Sequence, residues 1–533
     1  MNQTSRGPRP EVSRRALLKG SLAAAATLAA GGLLGGCRDR GPTGEPAAEG
    51  PTRPVRGGRL RAAISGASTT DETLDPHLGA SWADGARAKN IFDKLAAYNA
   101  DLTVTNRLAE TIEPNRDGSV WRIRLRAGVT WHDGKPLTAD DVLYSVRRML
   151  DPANALPAAT DLAPVDAAGS RKVDDLTVEL AMRQPIADLP SLLAGWYVYV
   201  VQDGAKDFSR PVGTGPFKLA SFSPGDRCLL VRNENYWEDG KPYLDEVELI
   251  TINDAEARLN AFLGSATDVS HELAPSQAKA QAGNPGLRVV ASPIGIFHSF
   301  IMRVDQAPFD DNRVREALKY AVDRQQLVDT VFFGYGEVGN DLYGQGAPYY
   351  HDQLPQRAYD PERAKWLLRE AGRSGLEVTL HTSDPTPGML EAATLFAEQA
   401  KGSGLRVKLR TSPRDSYWSD VYLKVPFAQT NWGSYALDWF YAQTVLSDSR
   451  SNETGWRRPD FDRRFAEARA TMDPALKRER YFALQEELHR EGGYVIHSFA
   501  KWLDGLSPRV RGVEGTTVAS NDWCSYRGAW LAG

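Results

Sequence analysis

Residues 121–131 read WRIRLRAGVTW, with apolar Trp121, Ile123 and Leu125 alternating with Arg122, Arg124 and Arg126. That is the two-residue period of a strand with one buried face. The segment that follows, HDGKPLTADDVLYSVRRML, has another rhythm. It opens on turn chemistry, sets Thr138 at capping-box spacing from Asp141, and then places Val142, Val146 and Met149 on one helical face. The same exchange of periods continues along the chain. Strands are expected at LTVEL (176–180), CLLVRN (228–233) and EVELITI (246–252). Long helices are expected at 313–332, 361–372 and 461–493, the last broken near Asp473-Pro474. No internal repeat or low-complexity run interrupts this alternation from Gly58 onward. At 533 residues the chain is too long for one ordinary core, so the pattern predicts an α/β protein of several lobes.

The first 37 residues are of a different character. A basic stretch leads into SRRALLKG (13–20), then an Ala/Gly/Leu run from Ser21 to Gly36, and then Cys37. The run is shorter and less apolar than the roughly 20 residues of a bilayer-spanning helix, so residues 1–36 read as a signal peptide. The pair Arg14-Arg15 resembles a twin-arginine export signal, and LLGGC resembles a bacterial lipobox in which Cys37 carries the lipid. Acyl chains contribute roughly 0.8 kcal/mol per buried CH₂, which makes Cys37 an expected membrane anchor. Residues 37–57, rich in Pro, Gly and charge, are the expected flexible tether. Removing residues 1–36 takes away five basic residues and one acidic residue, so the formal charge of −4 becomes −8. Acidic and basic residues are interleaved with no basic block, which argues against nucleic acid as a partner. Besides the anchor Cys37, only Cys228 and Cys524 then remain, and export permits a disulfide between them without requiring one.

Nothing in the chain asks for catalysis. The eight histidines are scattered, without ligand-pair spacing, so no metal site and no cofactor is expected. There is neither a G-x-S-x-G elbow nor a Walker loop. GYGEVG (334–339) matches a dinucleotide fingerprint but follows a helix instead of joining strand to helix, so Gly334 reads as a helix stop. GTGPF (213–217) lacks the lysine and the helix of a phosphate loop.

Six segments, in order, resemble the family 5 extracellular solute-binding proteins, the oligopeptide- and dipeptide-binding lipoproteins of ABC importers. They are TLDPH (73–77), WHDGKPLTADDVLYSVRRMLDP (131–152), VGTGPFKLASFSPGDRCLLVRNENYW (212–237), APFDDNRVREALKYAVDRQQLVDTVFFGYG (307–336), YDPERAKWLLREAG (359–372) and VLSDSRSNETGWRRPDFD (445–462). The resemblance implies a periplasmic-binding-protein-like α/β fold, bilobal with an additional inserted domain, and a ligand cleft at the hinge. The expected first lobe is discontinuous, from 58–94, 209–292 and 505–533; the second is inserted at 95–208; the third spans 293–504. It also implies a monomer outside the membrane that delivers a peptide-like solute to a permease and ATPase complex.

In peptide-binding relatives the segment matching NWGSYALDWF (431–440) lines the cleft and pairs its backbone with the extended ligand. The resemblance therefore makes Trp432, Gly433, Ser434 and Tyr435 ligand contacts, faced by Asp84, Gly85 and Ala86, with Trp82, Trp432 and Tyr435 as aromatic walls. The family's ammonium-binding aspartate falls on Tyr435 or Ser434 here, and neither is a carboxylate. Either Asp438 takes that role or the ligand lacks a free amine. Opines, metal chelates and oligosaccharides are the non-peptide cargoes the resemblance leaves open, and an exported hydrolase is the rival from another class.

Overall fold

A computed structural model describes residues 53–66 and 72–532. The expected signal peptide, Cys37 and nearly all of the tether lie outside the described residues.

Strands and helices gather around three sheets. One is mixed and has seven strands, in the order Arg288–Ala291, Leu503–Leu506, Val269–Ser270, Arg59–Ile64, Glu246–Thr251, Arg227–Arg232, Phe217–Ser223. Arg59–Ile64 runs parallel to Glu246–Thr251, with Leu60 opposite Val247. A second sheet has four antiparallel strands, Ala109–Pro114, Val120–Leu125, Thr177–Met182 and Val165–Asp174. Here the WRIRL alternation is realised: Trp121, Ile123 and Leu125 are buried and Arg122 and Arg124 exposed, with Ile123 opposite Val178. Helix Ala139–Leu150 follows, and its Val142, Val146 and Met149 are buried. Asp141 Oδ2 accepts from the Thr138 amide at 2.8 Å and fixes the start of the helix.

The third sheet is mixed, with six strands in the order Gly336–Val338, Tyr494–Ala500, Ile296–Met302, Phe427–Trp432, Glu377–Thr382, Arg406–Thr411. Tyr494–Ala500 and Ile296–Met302 are buried along their whole length, as for central strands covered on both faces. The chain crosses between the seven- and six-stranded sheets at 292–295 and at 501–502. The two crossings are bonded to each other: the Ser292 amide donates to the Trp502 carbonyl at 2.9 Å, and the Trp502 amide donates to Ser292 Oγ at 2.9 Å.

The single helix expected over 313–332 is two, Asn312–Tyr320 and Arg324–Thr330. Asp323 stops the first from continuing, because its side chain accepts from the Gln326 amide at 3.0 Å and so caps the second. Gly334 follows this second helix at φ +79°. The break at Asp473-Pro474 appears as expected, separating Pro459–Ala470 from Pro474–Glu491. GTGPF owes its glycines to packing. A Cβ on Gly213 would stand 1.8 Å from the Ile91 carbonyl oxygen, and one on Gly215 2.5 Å from the Ile91 carbonyl carbon, so this loop lies flat against the end of helix Trp82–Ile91. Cys228 and Cys524 are both buried and free. Among the described residues no helix is long and apolar enough to cross a membrane.

Candidate ligand-binding cavity

A cavity of about 510 Å³ is walled by Trp82, Trp196, Tyr197, Trp432, Tyr435 and Trp439, with Gly433, Asn431, Gln443 and Arg450 among its other lining residues. Strand Phe427–Trp432 delivers the first part of this wall. It pairs with Ile296–Met302, Trp432 opposite Phe297, and ends there. Residues 433–436 then lead into helix Leu437–Thr444, whose Trp439 and Gln443 face the cavity one turn apart. Tyr435 and Trp439 lie with ring centroids 4.1 Å apart. From the opposite side, helix Trp82–Ile91 contributes Trp82, which meets Trp196, Trp502 and Trp523 edge-on at 5.8, 5.1 and 5.5 Å. Gly85 makes that side possible, since a Cβ there would come within 2.3 Å of the Trp196 ring.

The orientation of Trp432 is set from behind. Its Nε1 donates to Glu453 Oε1 at 2.8 Å; Thr430 Oγ1 donates to the same oxygen at 2.9 Å, and the Tyr494 hydroxyl to Oε2 at 2.6 Å. Glu453 is buried, and burial raises its pKa. It lies outside the cavity wall.

Of the residues expected from the sequence, Trp82, Trp432, Gly433 and Tyr435 line the cavity, whereas Ser434, Asp438, Asp84, Gly85 and Ala86 do not. Ser434 is buried and its hydroxyl donates to the Gly295 carbonyl. The Tyr435 amide is also taken, donating to Tyr343 Oη at 2.5 Å, so less of this backbone is free for an added strand than expected. Asp84 is the third residue of its helix and a capping carboxylate. It accepts from the Ser81 amide and hydroxyl at 3.1 and 2.7 Å, from the Thr73 amide at 3.0 Å and from Arg87 at 2.5 Å. Gly85 and Ala86 are buried inside the same helix, their backbone spent on its ladder. Asp438 turns away from the cavity toward Arg469, with 3.7 Å between Oδ2 and Nε. Burial raises its pKa against the pull of Lys477 and Arg469. In this arrangement Asp438 does not reach the cavity wall. Among the described residues no carboxylate lines the cavity, and the one formally charged lining residue is Arg450.

The sequence reading missed Trp196, Tyr197, Trp439, Gln443 and Arg450. The aromatic pair in AGWYVYV (194–200) was the available signal for the first two. Gln443 is held from below, where its Nε2 donates at 2.7 Å to Oδ1 of the buried Asp161. Burial pushes the Asp161 carboxyl up to about 7. Folded Asp161 thus keeps its proton to about pH 7, whereas the unfolded chain releases it near 4. Its contribution to stability is full below pH 4 and is lost as pH rises to 7. For Asp161→Asn, the stability difference from wild type is expected to grow by up to about 4 kcal/mol in the variant's favour between pH 4 and pH 8. Denaturant midpoints across that range measure it, and a constant difference refutes it.

The comparisons with known proteins agree on one family. Residues 103–453 match the model described as bacterial extracellular solute-binding proteins, family 5 Middle. The glutathione-binding protein GsiB of Pectobacterium atrosepticum is 26% identical over 470 residues, which cover 84% of this chain and 91% of that protein. The corresponding protein of Salmonella paratyphi A is 28% identical over 459 residues, covering 83% and 89%. The solved structure of DppA from Helicobacter pylori in complex with the peptide STSA has a TM-score of 0.76 at 20% identity, covering 90% of this chain and 99% of that one. With the mixed α/β sheets and the cavity between them, these matches give the chain its place: it belongs to the bacterial extracellular solute-binding proteins of family 5.

Proposed function

We propose that this chain is the substrate-binding component of an ABC importer, which captures a peptide or peptide-like solute outside the membrane and hands it, chemically unaltered, to a permease and ATPase complex. The observation that carries this reading is the cavity of about 510 Å³ walled by tryptophan and tyrosine rings, with Arg450 as the only charged lining residue among those described. Rings supply contact area at small entropic expense, and a guanidinium matches a carboxylate in two parallel hydrogen bonds. A free ammonium group would meet no counter-charge on this wall. The cargo favoured is a peptide recognised through its carboxylates at Arg450; glutathione, for which the relatives are named, carries such carboxylates together with an ammonium group that this wall leaves to solvent.

The three sheets are the cores of the three lobes in this reading, with boundaries near 94, 208, 292 and 504, and the paired crossings at 292–295 and 501–502 form the hinge. Ligand drives closure only insofar as it binds the closed form better. Residues 1–36 act as an export signal, Cys37 carries the lipid anchor, residues 37–57 are the tether, and the protein works as a monomer on the extracytoplasmic side.

Native mass spectrometry of the protein isolated from its own cells tests the function. The expected result is one retained cargo of peptide mass per chain. Incubation with mixed peptides is expected to leave them intact. Steady accumulation of cleaved products would replace this reading with that of a hydrolase, and a retained sugar or metal chelate would move it to another cargo class.

A further inference from the structure

A second cavity, of about 630 Å³, adjoins the first, and Thr160 and Arg450 belong to the walls of both. One side comes from residues 155–164 and Arg183, beside the four-stranded sheet, and the other from residues 442–450 and Arg469. The charged residues lining it are three arginines, 183, 450 and 469, against a single carboxylate, Asp448. Arg469 is only 8% exposed and lies in the wall with its Nε turned to Asp438, 3.7 Å away. The planar fork of guanidinium donors suits a carboxylate, and three such groups on one wall outnumber the single acidic one among the described residues. Arg183 gives Nε to the Val165 carbonyl at 3.2 Å, which holds the side chain at the rim.

We infer that this annex receives an acidic side chain of the captured solute, so that the protein selects peptides carrying a carboxylate beyond the part held among the aromatic rings. The inference rests on the solute-capture reading of the first cavity. Arg450 stands at the junction and serves both spaces; Arg183 and Arg469 serve the annex alone.

Synthetic tetrapeptide pools with free termini, random at three positions and fixed as glutamate, glutamine or lysine at the fourth, test this by titration calorimetry. One set of pools is made for each fixed position. The glutamate pool at the preferred position is expected to bind at least tenfold more tightly than its glutamine counterpart, and the lysine pool more weakly than either. Arg183→Gln and Arg469→Gln are each expected to shrink the glutamate-to-glutamine ratio at least threefold. Arg183 is exposed, so its variant keeps the test decisive if Arg469→Gln fails to fold. Equal affinity for glutamate and glutamine pools at every position, or a ratio unmoved by Arg183→Gln, overturns the annex while leaving solute capture standing. Binding of no pool overturns both.

Discussion

Asp341→Asn lowers the unfolding free energy by about 3–5 kcal/mol. The wild-type carboxylate is completely buried between two guanidinium groups, with Arg324 Nη2 at 2.6 Å from one oxygen and Arg357 Nε at 2.8 Å from the other. Burial pushes its carboxyl up, but Arg324, Arg357 and Lys319 outweigh burial and hold it below the usual carboxylate range. The amide keeps the shape and tolerates the φ of +59° at this position, but it removes the charge and sets an NH₂ donor where one arginine needs an acceptor. It leaves two arginines in the core without a counter-ion, near a lysine that burial has already pushed down to about 7. Because the folded carboxyl titrates below its unfolded value, its contribution is complete above about pH 4 and is lost as pH falls through the folded pKa. Urea titrations at pH 7 and pH 3 check both parts: a large gap between variant and wild type at pH 7 that narrows in acid. An equal gap at both values removes the electrostatic explanation.

Trp432→Ala weakens cargo binding by about 2–4 kcal/mol, the range of a central aromatic anchor, or roughly 30-fold or more in Kd. The ring is half-buried in the cavity wall and stands edge-on to Trp439, with centroids 5.9 Å apart. Its loss opens the wall and removes one of two donors to Glu453 Oε1, while Thr430 keeps the other. The variant is therefore expected to fold. Trp432→Phe, which keeps an aromatic surface and loses only the indole N–H, should fall between the two. Calorimetric titration with the cargo found by native mass spectrometry measures the series, and an unchanged Kd for the alanine variant takes Trp432 out of the ligand's wall.

How much was legible in the chain depended on whether the signal was local. The strand at 120–125 and the helix after Thr138 were readable because period and cap lie within a few residues of each other. The break at Asp323 was equally local but ambiguous, since an aspartate inside an apolar 3.6-residue pattern reads as a solvated position until its side chain is seen to cap the next helix. Trp432 and Tyr435, expected as ligand contacts from the resemblance of their segment, line the cavity. Asp438 lies outside the cavity wall, 3.7 Å from Arg469, a neighbour 31 residues further on that no local pattern announces. Asp84 carried a warning in its own sequence: Ser81-Trp-Ala-Asp84 has capping-box spacing, and a carboxylate spent on a helix start is not free for a ligand. Arg450 and Arg183 had no sequence signal. They become neighbours only when the four-stranded sheet packs against the helices near residue 450.

Strand Leu503–Leu506 lies inside the seven-stranded sheet, between Arg288–Ala291 and Val269–Ser270, and pairs with both. A ribosome making this chain releases those two partners long before the segment that joins them. Throughout that interval their hydrogen-bonding edges are bare, and such a non-local closure is slow and prone to mispairing. The newborn polypeptide is thus a natural client for holding chaperones, and heterologous production should improve when synthesis is slowed or such chaperones are supplied.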